Sequence, residues 1–82
     1  MVSILFFGRL KEELGCGQLD LQLESEVSVT QLKRQLVAQN PQWQDLLLDD
    51  QVLVAVDQIM ATDSVMVSTT AEVAFFPPVT GG

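Results

Sequence analysis

Ser28-Val29-Thr30-Gln31-Leu32-Lys33-Arg34-Gln35-Leu36 lies near the middle of the chain and opens its longest predicted helix. The Ser28 hydroxyl can accept from the backbone N–H of Gln31, and the Gln31 side chain can reach back, which is the capping-box pattern. Val29, Leu32 and Leu36 then fall on one face at spacings of three and four. Lys33 and Arg34 are expected to point to solvent. The helix should end near Asn40, because Pro41 disfavours a helical residue before it. One helix with one apolar stripe needs one sheet to cover it.

Towards the N-terminus, Leu19-Asp20-Leu21-Gln22-Leu23-Glu24 alternates cleanly and predicts a strand with leucines inward. Arg9 to Leu14 predicts one or two helical turns stopped by Gly15. Val2 to Phe7 predicts a strand bounded by Gly8. Towards the C-terminus, Gln42 to Leu48 leaves room for a short helical turn, with Trp43 reading as a core or rim plug. Val52 to Val56 predicts a strand, Asp57-Gln58 a tight turn into Ile59 to Ala61, and Val65 to Val67 is apolar but short. Glu72 to Phe76 predicts the last strand, running into Pro77-Pro78, which cannot continue ladder donation.

The first and last strands are the most hydrophobic, so they should lie centrally. Placing them side by side through a right-handed crossover gives the β-grasp arrangement of ubiquitin. The predicted fold is α+β, a mixed sheet of four to five strands on one main helix. Residues 1–76 form the domain and residues 77–82 an extended tail. Ile4, Phe6, Leu19, Leu21, Leu32, Leu36, Val73 and Phe75 are the predicted core. Period-two alternation then turns Phe7 and Phe76 to the opposite face, where Met60 can extend an apolar patch.

Composition narrows the function. The chain has 82 residues, 48% of them apolar, enough for one domain with one core. Its net charge is −7, and all four basic residues (Arg9, Lys11, Lys33, Arg34) precede position 35. A nucleic-acid binder needs basic groups to displace counterions, so that role and anionic membranes are both disfavoured. A basic protein partner is the natural counterpart. The longest apolar runs, Ile4 to Phe7 and Val52 to Val56, are too short for a membrane span, and no basic region precedes an apolar run. A cytoplasmic protein is expected. There is no His and no Tyr, and Cys16 is the only cysteine, which leaves no histidine base for a nucleophile and no metal-ligand pattern.

The chain ends Phe75-Phe76-Pro77-Pro78-Val79-Thr80-Gly81-Gly82. Two terminal glycines arise by chance roughly once in 200. A diglycine end threads a narrow channel and presents its carboxylate with nothing beside it. Pro77-Pro78 favours an extended path, and the six residues after Phe76 reach at most about 20 Å.

Phe75 to Gly82 resembles the terminal signature of the molybdopterin synthase small-subunit family. Val2-Ser3-Ile4-Leu5-Phe6-Phe7-Gly8-Arg9-Leu10-Lys11-Glu12-Glu13-Leu14-Gly15 is similar to that family's start, and Val54-Ala55-Val56-Asp57-Gln58 to its central segment. Two departures are visible: Asp57 stands where the family often has asparagine, and Thr69-Thr70-Ala71 replaces a Gly-Asp turn. The resemblance implies a sulfur carrier. A ubiquitin-activating-like adenylyltransferase would join the Gly82 carboxylate to AMP from ATP, and a sulfur donor protein would displace AMP to leave a thiocarboxylate. Inside the large subunit that sulfur would attack the pterin precursor of the molybdenum cofactor. A heterotetramer of two small and two large subunits is implied, with no cofactor held permanently by this chain. Gly82 then carries the reacting group and Gly81 the threading. Phe7, Met60 and Phe76 would anchor the partner, Lys11 would supply a rim charge, and Pro77, Pro78, Val79 and Thr80 would line the partner's channel.

Three other readings share parts of this pattern. A ubiquitin-like modifier joined to target lysines uses the same terminal activation. A carrier for another pathway, such as thiamine or cysteine synthesis, shares fold and glycines. A small interaction module would need neither.

Overall fold

Strands β1 (Val2–Phe6) and β7 (Glu72–Phe76) lie side by side and parallel, with Ser3 opposite Glu72 and Phe6 opposite Phe75. The computed structural model describes residues 1–49 and 51–77. Between the two strands run α1 (Gly8–Leu14), β2 (Gln18–Leu21), β3 (Val27–Ser28), α2 (Val29–Gln39), a 3₁₀ turn (Pro41–Trp43), α3 (Gln44–Leu47), β4 (Leu53–Val56), β5 (Ile59–Ala61) and β6 (Met66–Val67). The main sheet is mixed, in the order β2-β1-β7-β4-β5, and every pairing in it except β1 with β7 is antiparallel. This is the predicted β-grasp fold, with the two most apolar strands away from the sheet edges, each paired on both sides.

Local chemistry accounts for the element ends. The Ser28 hydroxyl accepts from the Gln31 backbone N–H at 3.1 Å, and Gln31 Oε1 accepts from the Ser28 N–H at 2.9 Å. Both arms of the capping box are therefore present. Ser28→Ala is expected to cost about 1 kcal/mol of stability, read by urea unfolding. A cost below a few tenths would mean that the loop across the helix start supplies the capping instead. That loop contributes backbone bonds: Val29 N–H donates to Val65 O at 3.0 Å and Thr30 N–H to Asp63 O at 3.1 Å. Gly15 closes α1 at φ +70°, donating to the carbonyls of Lys11 and Glu12.

The hairpin from β4 to β5 turns through Asp57 and Gln58 at φ +50° and +69°, the paired left-handed geometry of a tight two-residue turn. Asp57 Oδ1 accepts from the Glu72 N–H at 3.0 Å, an acceptor that asparagine would also offer. The turn at Thr69-Thr70 closes with Ala71 N–H on Ser68 O at 3.2 Å and delivers Ala71 O to Ser3 N–H at 3.1 Å. Thr69-Thr70-Ala71 thus enters β7 in register without a Gly-Asp pair.

The core lies between α2 and the inner sheet face. Ile4, Phe6, Leu21, Leu32, Leu36, Val73 and Phe75 are all buried in it. Trp43 joins them edge-on to Phe6, centroids 5.4 Å apart, and its indole N–H donates to Leu14 O at 3.2 Å. It is the core plug that its aromatic body and single donor suit.

Four expectations need correction. Leu19 is only partly buried, because β2 is an edge strand and its outer margin has no neighbour. β2 stops at Leu21 instead of Glu24, although Leu23 still turns into the core. The two-residue pairing of β3 with β6 was not expected. Lys33 does not face solvent: it is 6% exposed and its Nζ meets Asp63 Oδ1 at 3.0 Å. Its position four residues after Val29 puts it on the apolar stripe, where the methylene stem packs and the ammonium reaches the loop after β5.

Candidate docking face and tail exit

The outer sheet face carries one cross-strand row built from the sequence period of two. Leu5 lies opposite Ala74, Ala74 opposite Ala55, and Ala55 opposite Met60. Large side chains stand at both ends of the row and methyl groups in the middle, so the face is hollow. The resulting depression of about 310 Å³ is lined by Leu5, Phe7, Ala55, Met60, Ala74 and Phe76, with Gln58 and Glu72 at its polar margin. Its lining includes one acid, Glu72, and no base.

Phe7 and Phe76 stack on this face, ring centroids 5.1 Å apart and planes 9° apart. Phe7 keeps an extended backbone, φ −119° and ψ 157°, and so continues the alternation of β1 one residue beyond its end. It is 43% exposed and Met60 is 60% exposed, while Phe76 is half-buried against its neighbour. Two aromatic rings and a methionine around a shallow apolar floor are a surface that a monomer rarely leaves bare. The structure therefore brings Phe7, Met60 and Phe76 together.

Lys11 lies one helical turn beyond Phe7, its backbone N–H donating to Phe7 O at 3.4 Å. The last turn of α1 carries its side chain to Gly17, where an added Cβ would come within 2.8 Å of Lys11 Cε, and it is not among the residues lining the depression. Leu5, Ala55 and Ala74 are floor residues that the sequence reading missed, although outward positions at i and i+2 of the central strands mark them.

Pro77, assigned from sequence to the tail, is half-buried against the domain. Pro78, Val79, Thr80, Gly81 and Gly82 lie outside the described residues. No helix among the described residues is long and apolar enough to cross a membrane.

Comparison with known proteins agrees with this architecture. The ThiS family model matches residues 4–82. The chain is 34% identical over 82 residues to the molybdopterin synthase sulfur carrier subunit of Escherichia coli, covering all of both chains. It is 35% identical over 83 residues to the subunit of the same name from Haemophilus influenzae, again over the whole of both. Among solved structures, SAMP1 from Haloferax volcanii superposes with a TM-score of 0.81 at 24% identity, covering 99% of this chain and 98% of that one. Small archaeal modifier protein 1 from Methanosarcina acetivorans gives 0.77 at 18% identity, covering 99% and 95%. At those identities the two structures bear on the fold alone. With the family model matched almost end to end and two relatives above 30% identity over their whole length, the chain belongs to the ThiS family.

Proposed function

We propose that this chain is the sulfur-carrying subunit of a molybdopterin synthase and works through the carboxylate of Gly82. The observation that carries the reading is the match over the entire chain to two molybdopterin synthase sulfur carrier subunits. A large catalytic subunit is the partner that this role requires. The outer depression suits it as a docking face, with Phe7, Met60 and Phe76 as anchors and the tail residues Pro78, Val79 and Thr80 entering the partner.

The chemistry follows from the carboxylate. Carboxylate oxygen is a poor leaving group, so a ubiquitin-activating-like enzyme spends ATP to form the Gly82 acyl-adenylate and release pyrophosphate. The terminal sulfur of a donor protein's persulfide then attacks the acyl carbon and AMP departs; a thiol cleaves the S–S bond of the resulting acyl disulfide, which leaves the thiocarboxylate on Gly82 and a disulfide on the donor side. Sulfur is the softer nucleophile and attacks the pterin precursor held by the large subunit. The carrier contributes reach and placement, while its partners contribute positioning and acid–base groups. An acidic carrier of net charge −7 suits basic partner surfaces, and its association rate is expected to fall as salt rises.

The direct test is the intact mass of the chain purified from cells that hold its activating enzyme. Exchange of one terminal oxygen for sulfur is expected; an unmodified chain under those conditions overturns the carrier reading. For the docking face, Phe76→Ala is expected to weaken large-subunit binding by about 2 kcal/mol, read by calorimetry, with little change in the unfolding midpoint. Parallel losses in binding and stability would instead assign Phe76 to the core.

A further inference from the structure

The parallel pairing of β1 with β7 does not stop where the strands end. Phe6 lies opposite Phe75, and Phe7 N–H donates to Phe75 O at 3.1 Å. Phe7 then stacks on Phe76, and one step further Gly8 meets Pro77. Proline has no N–H and cannot extend the ladder, so packing has to hold the chain at this step.

Gly8 supplies that packing surface. Its φ is +59°, a conformation that side chains rarely adopt, and a Cβ placed on it would lie 3.1 Å from Pro77 Cγ and 3.5 Å from Cδ. Gly15 at the other end of α1 has a similar φ of +70°, yet a Cβ there would meet nothing within 4 Å. The contrast separates two reasons for glycine. Gly15 serves the backbone alone, whereas Gly8 also makes room for the proline ring. Pro77 in addition borders a groove shared with Leu10, Leu46 and Val52, so the ring has open space on that side into which it can be displaced.

We propose that Gly8 is a positioning residue for the tail: it seats Pro77 and thereby sets the point from which the residues carrying Gly82 depart. The inference rests on the carrier reading. Five residues follow Pro77 in the sequence, and Pro77 is the point at which they join the domain. A Cβ at position 8 pushes the ring by a few tenths of an ångström. Misplacement on the order of 1 Å costs roughly a hundredfold in rate, so a smaller displacement still matters.

Gly8→Ala would mix backbone strain with the new contact. Gly8→Asn separates them, because asparagine tolerates the left-handed region and still adds a Cβ. Thiocarboxylate formation is measured with the activating enzyme, sulfur donor and ATP, as a function of enzyme concentration, on wild type, Gly8→Asn, Pro77→Ala and the double variant. Unfolding and large-subunit affinity are measured on the same proteins. Gly8→Asn is expected to lower the saturated rate roughly tenfold. Its half-saturating concentration and its large-subunit affinity should stay within about twofold of wild type. In the Pro77→Ala background the same change should alter the saturated rate by less than about twofold, because the ring it displaces is gone. An unchanged saturated rate for Gly8→Asn, or an equal loss in both backgrounds, overturns the positioning role while leaving the carrier reading intact. Wild-type protein that gains no sulfur overturns the carrier reading and this inference with it.

Discussion

Deletion of Gly82 is expected to abolish sulfur transfer while fold and large-subunit affinity stay close to wild type. On the carrier reading, the reacting carbonyl has to reach two sites, the α-phosphate of ATP in the activating enzyme and the pterin in the large subunit, so the path from the proposed docking face to the chain end has one length. Removing one residue withdraws the carboxylate by roughly 3.3–3.6 Å. Since about 1 Å of misplacement can cost about a hundredfold, no useful rate should remain. Adding a residue after Gly82 turns the reacting carbonyl into an amide, which ATP does not adenylate. Gly81→Ala adds a Cβ where a channel must be narrow and should impair activation or transfer more than binding. The proposed docking face of Phe7, Met60 and Phe76 is untouched in all three variants. Thiocarboxylate yield, pterin conversion and affinity are to be compared on the same preparations. Full turnover by the Gly82 deletion would sink the carrier reading.

Leu32→Ala is expected to destabilise the domain by about 2–5 kcal/mol. Leu32 is fully buried in the cluster that holds Ile4, Phe6, Val73 and Phe75. It sits mid-stripe on α2, the longest helix among the described residues, so the void has little freedom to collapse. A chain of this size has a total stability of only about 4–12 kcal/mol, and the loss should lower the unfolding midpoint by at least about 10 °C. Urea unfolding gives the number directly. A loss below about half a kcal/mol would show that neighbouring side chains refill the site. Sulfur transfer should fall only as far as the folded fraction does, which distinguishes this variant from the tail variants.

Much of the fold is legible because local patterns agree with the tertiary arrangement. The capping box at Ser28 and Gln31 begins α2 where its sequence places it, and Gly15 ends α1 for a reason internal to its own turn. Phe6 and Phe75 face inward and Phe7 and Phe76 outward because side chains alternate along extended chain whatever packs above them. Charge was the misleading signal at Lys33. Its spacing from Val29 marks a buried position, but its ammonium argued for solvent. Asp63 resolves the conflict from 30 residues away, and no local pattern contains that partner.

What the sequence determined by itself is the order of strands and helix, the apolar stripe of α2, the outward pair of phenylalanines and a chain ending in two glycines. Each depends on residues close together in the chain. The tertiary structure decided which outward residues share a row, because register is a relation between strands. Leu5, Ala74, Ala55 and Met60 come from four strands and form one hollow only when hydrogen-bonded side by side. It also decided that Gly8 faces Pro77 across 69 positions of sequence. A glycine's missing Cβ has meaning only beside the atom that occupies its space, and the fold alone supplies that neighbour.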